Sequence, residues 1–137
     1  MNTTSTIIPT LHYRDAPAAI EWLCRAFGFE KRAIYPDDKS GIAHAQLTFG
    51  NGMIMVSSVG DHEWGRRFVQ PDEIGGRETQ CSCVCVADPK AHYEKAKAAG
   101  AEIIDELAEK DYGGSGYGCR DLEGHLWWFG DYDPWKD

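Results

Sequence analysis

Histidine, cysteine and tryptophan are the residues of this sequence best suited to chemistry, with five of each among 137 residues. Histidine titrates near neutral pH and serves as acid, base or metal ligand. His44 is the strongest candidate, because it shares the polar side of the alternating run Ile42–Phe49 with Gln46 and Thr48. His12 closes a short apolar run and is a candidate for lining a pocket. His62 falls in a long irregular stretch, His92 reads as an exposed helix residue, and His125 reads as part of a turn or core. Cys81, Cys83 and Cys85 alternate, so a strand puts all three thiols on one face. We expect that face to pack beneath a helix, since unpaired cysteine is commonly buried. A thiolate metal site is the sharper alternative, but there is no Cys-x-x-Cys pair and no His at finger-like spacing. The glycine-rich run from Gly113 to Gly118 lacks the Lys-Ser/Thr ending of a phosphate loop and opens a strand, not a helix. It reads as a flexible approach to a hairpin.

These side chains need elements to hold them, and the chain supplies the same order of elements twice. Strand Ile7–Tyr13 leads into a helix with Asp15 as N-cap, Pro17 in its first turn, an apolar stripe at Ala16, Ile20, Leu23 and Phe27, and Gly28 as its stop. Strands Lys31–Tyr35, Ile42–Phe49 and Met53–Val59 follow, linked by short turns that make antiparallel hairpins. Residues 60–78 have no clean period and read as a long connecting loop, of the kind that often forms a lid or binding segment. The order then repeats: strand Gln80–Val86, a helix capped by Asp88 with Pro89 at its first position, and strands Glu102–Leu107, Gly116–Arg120 and Leu126–Tyr132. Asp121-Leu-Glu-Gly124 suits a type I turn between the last two. The reading is therefore α+β: one domain over 1–137, with module one at about 6–59, the connecting loop at about 60–78 and module two at about 79–135. Each βαβββ module is too small to bury its own sheet, so the sheets should combine into a cup-shaped open barrel with the helices outside.

Composition narrows the partners. A formal net charge of −8 argues against nucleic acid or an anionic membrane as main partner. No apolar run reaches the roughly 18–20 residues needed to span a bilayer, and the first residues lack the pattern of a signal peptide. Unpaired thiols then point to a cytoplasmic protein. An acidic cleft also suits a cationic ligand.

Two stretches carry a family resemblance: the run from Pro9 to Phe29, and Arg120-Asp-Leu-Glu-Gly-His-Leu-Trp-Trp-Phe-Gly-Asp-Tyr-Asp-Pro-Trp135. With the duplicated βαβββ order, the chain resembles the vicinal oxygen chelate superfamily, in particular small glyoxalase/bleomycin-resistance-like proteins. That resemblance implies metal ligands near the start of the first strand and on the last strand of each module. Those places fall here near Ile8 and Gln80, and near Met55 or Val56 and Trp128. Neither Gly50–Val59 nor His125–Gly130 contains an Asp or Glu. The expectation is therefore no metal cofactor, and a homodimeric small-molecule-binding protein that sequesters an aromatic or cationic compound. The ligand-binding residues expected are His44, Gln46, Met55, Ser57, Trp64, Gln80, Ser82, Tyr112, Tyr117 and Trp128, which together make an aromatic, thioether-lined pocket with a few polar groups. The alternative the resemblance allows is a lyase or dioxygenase whose divalent metal has non-standard ligands, among them His44 and Gln80.

Overall fold

The computed structural model describes residues 4–136. The duplicated order is present. Module one contains β1 (Thr10–Tyr13), α1 (Ala16–Phe27), β2 (Glu30–Pro36), β3 (Ile42–Phe49) and β4 (Gly52–Ser58). Module two contains β5 (Ser82–Cys85), α2 (Pro89–Ala98), β6 (Glu102–Glu109), β7 (Ser115–Arg120) and β8 (Leu126–Gly130). Each module builds one four-stranded sheet, in the orders β1-β4-β3-β2 and β5-β8-β7-β6. Within each, the first strand runs parallel to the last and the other pairings are antiparallel. The first and fifth strands are shorter than the sequence suggests, since their leading residues lie outside the paired ladder.

Both helices start and stop where their capping residues dictate. The Asp15 carboxylate accepts from the Ala18 N–H at 3.2 Å, and Asp88 does the same for Ala91 at 3.1 Å. Gly28 ends α1 at φ +88°, a conformation that costs a residue with a Cβ. The stripe Ala16, Ile20, Leu23 and Phe27 is buried throughout. The Trp22 indole N–H donates to the Ala99 carbonyl at 2.8 Å and ties α1 to the end of α2.

One hydrophobic cluster takes side chains from both sheets and both helices, among them Tyr13, Leu47 and Val56 of sheet one and Tyr117, Trp127 and Phe129 of sheet two. Phe27 of α1 bridges them, with ring centroids 5.3 Å from Trp127 and 4.6 Å from Phe129. Each sheet therefore turns its apolar face to a shared interior. The opposite faces point away from that interior. The sheets are not closed into a barrel; each presents an open face of the kind that forms the cup in this architecture.

The connection from 60 to 78 carries two short 3₁₀ turns, Gly65–Arg67 and Pro71–Ile74. It is pinned to the fold. The Gln70 side-chain amide donates to the His12 carbonyl at 2.9 Å, and the Arg14 guanidinium makes a two-pronged contact with Asp72 at 2.8 and 2.9 Å. Among the described residues, no helix is long and apolar enough to cross a membrane.

Candidate functional site

Strand phase decides which side chains reach the open faces. In sheet one, Ala45, Leu47, Ile54 and Val56 are buried against the core. The alternate residues therefore share the open side. Gln46 stands beside Met55 across β3–β4, and Thr10 and His12 of β1 stand beside Met55 and Ser57. Four of the expected residues, His44, Gln46, Met55 and Ser57, are thus assembled on one surface. The Gln46 amide lies 3.1 Å from His44 Nε2, and Tyr35 stacks on His44 with centroids 5.9 Å apart. The amide nitrogen can only donate, so this contact requires Nε2 to accept.

The open face of sheet two is built differently. Trp127 and Phe129 fill the core, which leaves Trp128 on the other side beside Cys83 of β5 and Gly118 of β7. Its indole lies flat on the backbone of β7. A Cβ on Gly116 would come 2.7 Å from Trp128 Cζ2, and one on Gly118 would come 3.3 Å from Cε3. Two glycines of the run read from sequence as a flexible approach are therefore the bed on which the ring rests. The Trp128 Nε1–H makes no hydrogen bond among the described residues, whereas Trp127 Nε1–H donates to Asp121 at 3.0 Å.

The remaining expected residues are dispersed. Trp64 stands 61% exposed in the connection, packed edge-on against Phe68, whose ring covers His12 at 4.4 Å. Tyr112 is exposed at the β6–β7 turn and meets Tyr132 edge-on at 5.3 Å. Gln80 precedes β5 and lines a cleft with Glu78 and His125. His44 does not line that cleft, so the pair suggested as relocated metal ligands is not assembled there.

Three expectations are corrected. Tyr117 faces the core, not the ligand side. It is fully buried under α2, where its hydroxyl meets His92 Nδ1 at 2.6 Å. His92 is accordingly half-buried, not exposed. Its Nε2 donates to the Phe27 carbonyl at 2.8 Å, so Nδ1 accepts from Tyr117, and burial lowers its pKa and keeps the ring neutral. The phase of β5 is the reverse of that expected. Ser82 and Val84 pair with Trp127 and Phe129 on the core side, and Cys81, Cys83 and Cys85 are exposed. Val84 and Val86 have more apolar surface to bury than a thiol does, so they claim the interior.

The partners of two buried polar groups escaped the sequence reading. Asp121 does form the expected turn, with Gly124 N–H donating to its carbonyl at 3.0 Å. Its carboxylate also accepts from the Tyr13 hydroxyl at 2.5 Å, the Trp127 indole, and the N–H groups of Glu123 and His125. Burial pushes its pKa up, and these donors pull the other way. His125 donates from Nε2 to the His12 carbonyl at 2.8 Å and meets Glu78 with Nδ1 at 2.9 Å. Burial alone would lower its pKa, but Glu78, the His12 carbonyl and Asp121 together raise it, which marks an imidazolium–carboxylate pair. Glu78 lies 47 residues upstream in the chain, so no local motif announces the pair.

The chain matches the Glyoxalase/Bleomycin resistance protein/Dioxygenase superfamily over residues 8–129, and it belongs to that family. It is 36% identical to TioX from Micromonospora sp. ML1, with a TM-score of 0.71, over 92% of this chain and 97% of that one. An uncharacterized protein of Mycobacterium bovis is 25% identical over 130 residues, which is 95% of this chain and 85% of the relative. FosX from Listeria monocytogenes, a fosfomycin resistance protein crystallised with Mn(II) and sulfate, shares the fold at 15% identity and a TM-score of 0.67, over 95% of this chain and 93% of that one.

That family implies a divalent metal, and the donors here do not fit one. On the open faces, the first and last strands offer Thr10, His12, Met53, Met55 and Ser57 in module one and Cys83, Cys85 and Trp128 in module two. A thioether and an indole are not ligands for hard divalent ions, and Phe68 covers the His12 ring with centroids 4.4 Å apart. Among the described residues there is no group of three or more His, Cys, Asp or Glu arranged to hold a metal ion.

Proposed function

We propose that this protein is a metal-independent small-molecule-binding protein of the glyoxalase/bleomycin-resistance type that sequesters a planar aromatic compound. The observation that carries the reading is Trp128: a half-buried indole laid on a glycine bed on the open side, with the Lys110 ammonium 5.0 Å from its ring centroid. Such a ring is a preformed stacking surface with little conformational freedom left to lose on binding. His44, Gln46, Met55 and Ser57 supply polar and polarizable contacts on the other open face. Each module presents its own open face, and a pocket walled by both would place a second copy opposite it. We place the open face of module one of one protomer opposite module two of its partner, in a two-fold homodimer with two equivalent pockets. Protection against a toxic aromatic compound is the role that suits such a binder.

The test combines light scattering for mass, metal analysis of the purified protein, and titration with planar aromatic probes before and after chelation. The reading expects a dimer, saturable binding that W128A abolishes, and no change on chelation. Stoichiometric Ni, Zn, Fe or Mn whose removal ends binding would overturn it.

A further inference from the structure

The outer face of the Trp128 indole already has an occupant. The Lys110 ammonium sits 5.0 Å from the ring centroid, while the β7 backbone takes the other side. This lysine is not a free surface charge. Its side chain is only 18% exposed and pairs with Asp105 at 3.2 Å. The stacking surface thus comes with a cation parked on it and a carboxylate holding that cation in place.

We propose that Lys110 selects the ligand's charge: the site takes planar aromatic compounds that carry an anionic group and disfavours cationic ones. This rests on the aromatic-binding reading above. A ring that stacks on Trp128 must move the ammonium off the π face and forfeits its attraction to the indole. A carboxylate, sulfonate or phosphonate on the ligand restores a partner to the displaced ammonium. A cationic ligand restores nothing, finds the favoured position for a cation taken, and meets Asp105 already paired. The net charge of −8 acts over longer range and is screened beyond about 8 Å at physiological ionic strength, so the nearest charge dominates.

Calorimetric titration of the full chain with three probes of one ring system tests this: 2-naphthoate, 2-naphthylmethanol and 2-naphthylmethylammonium. The wild type should bind naphthoate most tightly and the ammonium probe most weakly, with about tenfold between them. K110M, which keeps the aliphatic stem over the indole, should bring the two charged probes within about twofold. D105N removes the competing carboxylate and should tighten naphthoate further. An ammonium probe that binds the wild type as tightly as naphthoate, or an order that survives K110M, overturns the charge selection. If the three probes bind equally and W128A abolishes all of them, aromatic binding stands and the selection falls. If none binds, or if binding ignores W128A in a variant whose circular dichroism matches the wild type, the aromatic-binding reading falls as well.

Discussion

The open faces of the two sheets occupy matching places in the duplicated fold and are furnished in opposite ways. In module one the neighbours across β3–β4 are Gln46 and Met55; at the matching place across β7–β8 they are Gly118 and Trp128. Two middle-sized flexible side chains in one module stand against an absent side chain and a very large rigid one in the other. The volume is similar, but the surface is not. Module one shows adaptable polar and thioether groups, and module two shows a fixed ring plane. A pocket that joins both would grip a flat ligand on one side and adapt to its substituents on the other. The core sides do not diverge in this way, since Val56 and Phe129 are both buried at matching positions.

Asp121 offers the largest test of the contrast. The module-two turn is welded into the core, so D121A strands the Tyr13 hydroxyl and the Trp127 indole and should cost about 3–5 kcal/mol in urea unfolding. The glycine bed comes next. G116A puts a methyl group 2.7 Å from the Trp128 ring and 3.1 Å from the Phe129 carbonyl, and should cost about 1–3 kcal/mol and weaken aromatic binding.

A smaller effect is expected from pH. The His125 pKa is raised in the folded state, so its pairing with Glu78 stabilises fully below the unfolded value of about 6.5 and is lost as pH rises through the folded value. Asp121 and the Tyr13 ring also face His125, and His12 lies beside it. The stability gap between wild type and E78Q should therefore be widest near pH 6 and narrow on the alkaline side, as thermal melts across pH would record. Smallest of all, Q46A should leave stability within about 0.5 kcal/mol, because its side chain faces outward, while altering ligand preference.

The sequence makes the frame legible because the caps, stripes and turns are local. Asp15, Gly28, Asp88 and the Asp121–Gly124 turn act where they stand, and so does the alternation of β3 and β4 that placed His44, Gln46, Met55 and Ser57 together. What it hides is settled at long range. β5 carries thiols on one side and Ser82 with Val84 on the other, and only competition for the shared core decides which side turns in. Tyr117 and His92 looked available until two helices and two sheets closed around them. The glycines of β7 looked like slack in the chain, and their purpose appears only when Trp128 from the next strand lies down on them.

The central claim is that one pocket takes module one from one copy and module two from another. Mixing two non-binding variants under conditions of subunit exchange tests it: M55D, altered in module one, with W128A, altered in module two. A shared pocket should recover aromatic binding in about one quarter of the sites, because each mixed dimer rebuilds one intact pocket and one doubly altered one. Two variants that each stay folded and dimeric, exchange freely and still recover no binding when mixed would contradict the account.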